Sequence, residues 1–108
     1  MFVIVLKYFI PKKFGGFSLF PFIFLSKQNF KNNKVFINHE RIHLQQQIEL
    51  LIIPFLILYF IEFFFRLLQF RNFMKAYYNI SFEREAYANE NDLYYLDKRS
   101  FWKFLKYI

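Results

Sequence analysis

The chain contains no cysteine, two glycines, three prolines, two histidines and one tryptophan in 108 residues. Without cysteine there are neither disulfides nor thiolate ligands, so zinc fingers and ribbons are excluded and any metal must be held by nitrogen and oxygen. Acidic residues are scarce, eight against fifteen basic ones, for a formal net charge of +7. The lysines and arginines are scattered rather than blocked, with no basic stripe on one helix face and no aromatic-basic pattern of an RNA reader, so no nucleic-acid partner is expected. There is no linker and no repeat, and the length fits a single domain over residues 1–108. The amino terminus lacks the basic start and small-residue cleavage site of a secretory signal. An intracellular chain, cytoplasmic or membrane-associated, is therefore expected.

Aromatic residues are abundant, with 19 Phe and 8 Tyr. Together with Lys, Asn and Ile they are what AT-rich codons encode, so part of the excess reflects base composition. The two histidines, by contrast, are both spent in one place. His39-Glu40-Arg41-Ile42-His43 reads H-E-x-x-H. On a helix, residues four apart lie one above the other, so both imidazoles can reach one ion, and Glu40 stands about 100° round the helix, where its carboxylate can take a proton from a water polarised by that ion. Glu40-x-x-His43 is also half of a carboxylate-bridged di-iron site, but the second such pair cannot be built when no histidine remains.

Met1 to Ile10 is an apolar run, expected as a strand or short helix, and Gly15-Gly16 is expected to turn the chain into Phe17 to Leu25, rich in β-formers. Pro21 cannot donate to a ladder, which predicts a strand at a sheet edge, where an extended peptide could add by main-chain pairing. Ser26 to Lys34 reads as a loop ending in a helix cap at Asn32 or Asn33. The pattern is helical from about Val35 through the motif to Ile53, where Pro54 should kink or restart the helix. Glu62 and Arg66 stand at pairing distance. After a basic turn near Arg71-Asn72, a further helix capped by Asn79 or Ser81 is predicted from Phe82 to about Leu96, followed by a short amphipathic end. The predicted class is α+β, mostly α: short N-terminal strands or a hairpin, the H-E-x-x-H helix, a long hydrophobic helix kinked near Pro54, and a Glu-bearing helix packed back on the first.

Leu50 to Ile61 is free of charge, 12 residues, short of the roughly 18 to 20 needed for a span unless Glu62 and Arg66 are tolerated. A single crossing would also separate the histidines from everything after Leu68. A buried or half-embedded helix is therefore expected, with peripheral membrane contact through Leu50–Leu68.

Catalytic zinc normally has three protein ligands and an open position. With both histidines used, the third must be a carboxylate, and the richest segment is Phe82 to Glu90, where two of the three alanines surround glutamates. Here the chain resembles the gluzincin metallopeptidases, in the branch of prenyl-protein endopeptidases and β-lactam-sensor peptidases, whose second helix reads approximately E-x-x-A-D. Glu85-Ala86-Tyr87-Ala88-Asn89 matches with Asn for Asp, and the resemblance covers about half the chain. It implies His39, His43 and Glu85 as zinc ligands, Glu40 as general base and acid, Asn89 as an outer partner one turn from Glu85, and a peptide or protein substrate. Glu83, Glu90 and Asp92 stand only as substitutes for Glu85, each read first as a solvated helix-face charge. An oxyanion donor would come from Tyr87, Tyr77, Tyr78 or Arg84, with Tyr87 the first choice. Arg41, Gln45 and Asn89 depart from the family pattern. The implied function is zinc-dependent peptide hydrolysis; the alternative is a non-catalytic helical protein that attaches to a membrane or partner and uses zinc structurally.

Overall fold

A computed structural model describes residues 2–6 and 15–108. Its class is α+β and mostly helical. Three short strands, β1 (Phe2–Val5), β2 (Gly16–Leu19) and β3 (Phe22–Leu25), are followed by five helices: α1 (Lys34–Leu50), α2 (Ile52–Phe70), α3 (Phe73–Tyr78), α4 (Ser81–Asn89) and α5 (Tyr95–Lys98). Single 3-10 stretches precede α1 at Gln28–Asn32 and close the chain at Lys103–Tyr107. The rest of the expected Met1–Ile10 element, with Pro11, Lys12 and Lys13, lies outside the described residues.

Phe17 to Leu25 is a hairpin rather than one edge strand. Phe20 and Pro21 form its turn, so Pro21 costs no ladder bond, and β3 becomes the central strand in the order β1-β3-β2. β1 runs parallel to β3 and β2 antiparallel to it. Alternation along β3 sends Ile23 and Leu25 into the core with Leu44 of α1, while Phe22 and Phe24 pack with Phe2 and Phe17 on the other face. A Cβ on Gly16 would fall 2.2 Å from the Phe24 carbonyl oxygen, so only glycine fits there.

α1 starts at Asn33, whose side chain accepts from the Phe36 amide at 3.1 Å, as expected of a cap. It ends at Leu51, which takes φ 64° and ψ 152°. The break lies there, and Pro54 sits in the first turn of the new helix α2, where backbone N–H groups have no partner to lose. Glu62 and Arg66 do not pair. Glu62 spends both oxygens on the Ser81 backbone N–H and hydroxyl, capping α4 from the side, and Arg66 donates to Gln69. Arg71, in the left-handed region, turns the chain into α3, a helix with no forecast from the sequence, capped by Asn72. The helix expected from Phe82 to Leu96 stops at Asn89, because the Asn38 amide gathers the carbonyls of Glu90 and Asp92, each at 2.9 Å, and folds the chain back over α1.

One apolar cluster joins Phe55 of α2 to Ile80, Phe82 and Phe104; another joins Ile42 of α1 to Ala86 and Tyr95. Ala86 is the small residue that lets α4 approach α1, whereas Ala88 is exposed.

Candidate metal centre

α1 buries an unusual row of polar side chains: Asn38, His39, Glu40, His43, Gln46 and Gln47. Buried polar groups must find partners, and these do so mainly on α4. His39 Nε2 lies 3.1 Å and His43 Nε2 3.0 Å from Glu83 Oε1, with the two Nε2 atoms 3.2 Å apart. Glu83, not Glu85, is thus the carboxylate that meets both imidazoles. The three groups are buried, and His39, His43 and Glu83 lie close enough to hold a metal ion.

The outward nitrogens decide what these inward atoms can offer. Gln46 Nε2 donates to Phe82 O at 3.1 Å and Glu85 Oε1 at 3.0 Å, both acceptors, so its Oε1 must face His43 Nδ1, 2.8 Å away, and that nitrogen carries the hydrogen. His39 Nδ1 faces Glu90 Oε2 at 3.0 Å and donates to it. Each neutral ring therefore turns a lone pair towards Glu83 Oε1, and three lone pairs at such spacing call for a cation between them. In the metal-free protein a proton meets that demand: burial works to lower the His43 pKa, but the Glu83 carboxylate outweighs it and pushes it up to about 9. Burial alone would raise the Glu83 pKa, yet His43 and His39 hold this carboxyl well below the usual range, so it stays ionised. Tyr59 Oη donates to Glu83 Oε2 at 2.6 Å, leaving Oε1 to face the two imidazoles; burial and the same carboxylate push the phenol pKa up, so the hydroxyl remains a donor.

Beside this cluster is a cavity of about 270 Å³. Gly16, Phe17 and Ser18 of β2, Glu40, His43 and Gln47 of α1, Phe55, Leu56, Tyr59 and Phe60 of α2, and Glu83 line it. Glu40 is buried, and its Oε2 has no hydrogen-bond partner among the described residues. Burial raises its pKa against the opposing pull of His43 and His39, the direction that makes a carboxylate a better proton acceptor. β2 does form the sheet edge at this cavity, but Gln47 accepts from the Phe20 N–H at 2.6 Å and donates to the Ser18 carbonyl at 3.0 Å, occupying two backbone groups there.

Three sequence assignments change. Glu85, expected as the third ligand, turns to Arg99, Tyr95 and Gln46; Arg99 also binds Glu49, and burial of all these carboxylates is balanced by that one guanidinium. Asn89 does not reach a histidine: its amide donates to Glu85 O at 2.8 Å and Tyr107 Oη at 3.0 Å, and the neighbouring Glu90 holds His39 instead. Tyr87 packs edge-on against His39 with ring centroids 4.4 Å apart, but its hydroxyl pairs with that of Tyr77 and Tyr59 is the phenol on the cavity wall. Arg84 donates to the Tyr107 carbonyl, away from the cluster. Glu83 had a readable signal. Glu83-Arg84-Glu85-Ala86-Tyr87 also fits E-x-x-A, with Tyr in place of the final acid. Tyr59 and Gln46 had none, since a tyrosine in an apolar helix and a glutamine among three are common.

The donor set is two imidazoles and one carboxylate, with Glu40 at the cavity beside it, and this fits a metal with an open coordination position. Comparison with known protein families, with curated proteins and with solved structures finds no match to the chain in any of the three.

Proposed function

We propose that the chain is a zinc-dependent metallopeptidase, with His39, His43 and Glu83 as ligands and Glu40 as general base. The observation that carries this reading is the convergence of three lone-pair donors beside a cavity lined by Glu40, one of whose carboxylate oxygens is buried with no hydrogen-bond partner among the described residues. Zinc suits nitrogen and oxygen donors in this number, and when bound it lowers the pKa of water and polarises a carbonyl. Glu40 takes the proton of the attacking water and returns it to the leaving amine. Gln46 and Glu90 fix the imidazole tautomers, and Tyr59 holds the far oxygen of Glu83. Phe17, Phe55, Leu56 and Phe60 exclude water and offer an apolar wall to a substrate side chain.

Glu40→Gln keeps shape and loses the proton acceptor. It is expected to retain zinc by elemental analysis while peptide hydrolysis falls on the order of 10² to 10⁴-fold. The assay uses a mixture of unfolded and membrane-derived peptides, with cleavage that a chelator stops and zinc restores. Equal cleavage by wild type and variant would assign the activity elsewhere.

The near-complete burial of all three ligands favours a second reading, a structural metal in a non-catalytic protein. A wild-type chain that binds zinc and cleaves nothing across the panel would select it.

A further inference from the structure

We infer that the exposed face of α2 is a docking surface for a bilayer containing anionic lipid, with the helix lying in the membrane interface. α2 is 19 residues long with a mean hydropathy of 1.8, yet only 6% of its apolar window is buried. A core helix of that composition would be covered by the fold. Instead Ile53, Ile57, Phe60, Ile61, Phe64 and Leu68 are all exposed. At 100° per residue these six fall within an arc of about 100° and run for about 22 Å along the axis. No charged side chain lies within that arc: Glu62 turns to Ser81, and Arg66 to Gln69 on the far side. Such a continuous strip exceeds the scattered apolar exposure of an ordinary surface.

The opposite face fixes the orientation. Phe55 and Tyr59 pack on Phe82, Tyr59 binds Glu83, and Glu62 caps α4. Were α2 to cross the bilayer, this polar side of the molecule would be carried into hydrocarbon with it. Lying flat, it immerses only the apolar strip. Charge selects lipid over a second copy of the chain. Beyond the end of the strip Arg71 and Lys75 are exposed, and from Phe63 to Phe82 the sequence holds no Asp or Glu, a basic end that anionic headgroups complement. A second copy would set one +7 molecule against another. Phe60 of the strip and exposed Phe17 also line the cavity, so docking brings the cavity to the lipid boundary.

Flotation of the full chain with phosphatidylcholine vesicles, with and without phosphatidylglycerol, tests this. The chain should rise with the mixed vesicles and less with the neutral ones. Ile57→Glu with Phe64→Glu should lower the bound fraction on the order of tenfold or more, since each puts a charge where an apolar side chain would be immersed. That variant should keep the wild-type circular dichroism and zinc content, because both positions are exposed. Arg71→Gln with Lys75→Gln should abolish the preference for anionic vesicles. Wild-type protein that stays below the mixed vesicles, or a Glu variant that floats as well as wild type, overturns the inference. A lipid-free dimer made monomeric by the Glu variant assigns the strip to a second copy and overturns it too. Chelated protein should float equally, so a failed hydrolysis assay and a failed flotation are separate results.

Discussion

Glu83 and Glu85 are separated by one residue, and a rotation of about 200° sends their carboxylates to different partners. Which one meets the histidines depends on the phase of α4, and that phase is set by contacts distant in sequence: Ala86 against Ile42, and Arg99 on Glu85. The H-E-x-x-H triplet was legible because its geometry is local to one helix. The choice of carboxylate was not, since the E-x-x-A spacing fits Glu83 and Glu85 alike and nothing within α4 announces the arginine 14 residues on that claims Glu85. Glu83→Gln is expected to lose zinc. Glu85→Gln should keep the zinc stoichiometry but lose about 1.5–3 kcal/mol of stability, since Arg99 keeps Glu49 as its one carboxylate partner. Metal content and denaturant midpoints of the two variants check this, and zinc loss confined to Glu85→Gln would reverse the assignment. Tyr59→Phe removes only the hydroxyl that orients Glu83. It should weaken zinc about 10 to 100-fold in a chelator competition with little change in secondary structure.

The elements show where local chemistry is enough. Asn33 caps α1 by its own side chain and was readable; Glu62 caps α4 from a helix 19 residues earlier and was not. In the same way Pro21 pointed to a sheet edge, but the strand it interrupts became two, and the second moved to the centre. Pro54 signalled a break that the chain makes three residues sooner, at Leu51. The φ of 64° with ψ of 152° there belongs to a region essentially reserved for glycine, at a cost of about 1–3 kcal/mol for another residue. Leu51 is 70% exposed and has little packing to lose. Leu51→Gly should therefore stabilise the protein by about 1 kcal/mol, after about 0.5–1 kcal/mol is returned to the more flexible unfolded chain. A rise of several degrees in Tm would record it. An unchanged or lower Tm would mean that the leucine sits at this corner without strain.

Across the whole molecule, class and order of elements followed from composition and periodicity, whereas the partnership of α1 with α4 needed the fold. Those two helices are not neighbours in sequence. Glu83 lies 40 positions after His43, and the interval includes all of α2 and α3. An ion held at both ends thus acts as a cross-link, closing a loop around the most apolar stretch of the chain. Its removal leaves α1 and α4 joined through Gln46, Asn38 and the Ile42–Ala86 contact, and α2 joined to α4 through Phe55–Phe82 and Glu62–Ser81, so the loop loosens without losing its packing. Chelation should lower Tm and speed proteolysis within residues 52–78 before it affects the sheet. The strip of α2 faces outward whether or not an ion closes this loop, so the metal that is proposed for chemistry would also set how tightly the most apolar stretch of the chain is kept to its own fold, and not which surface it offers to a bilayer.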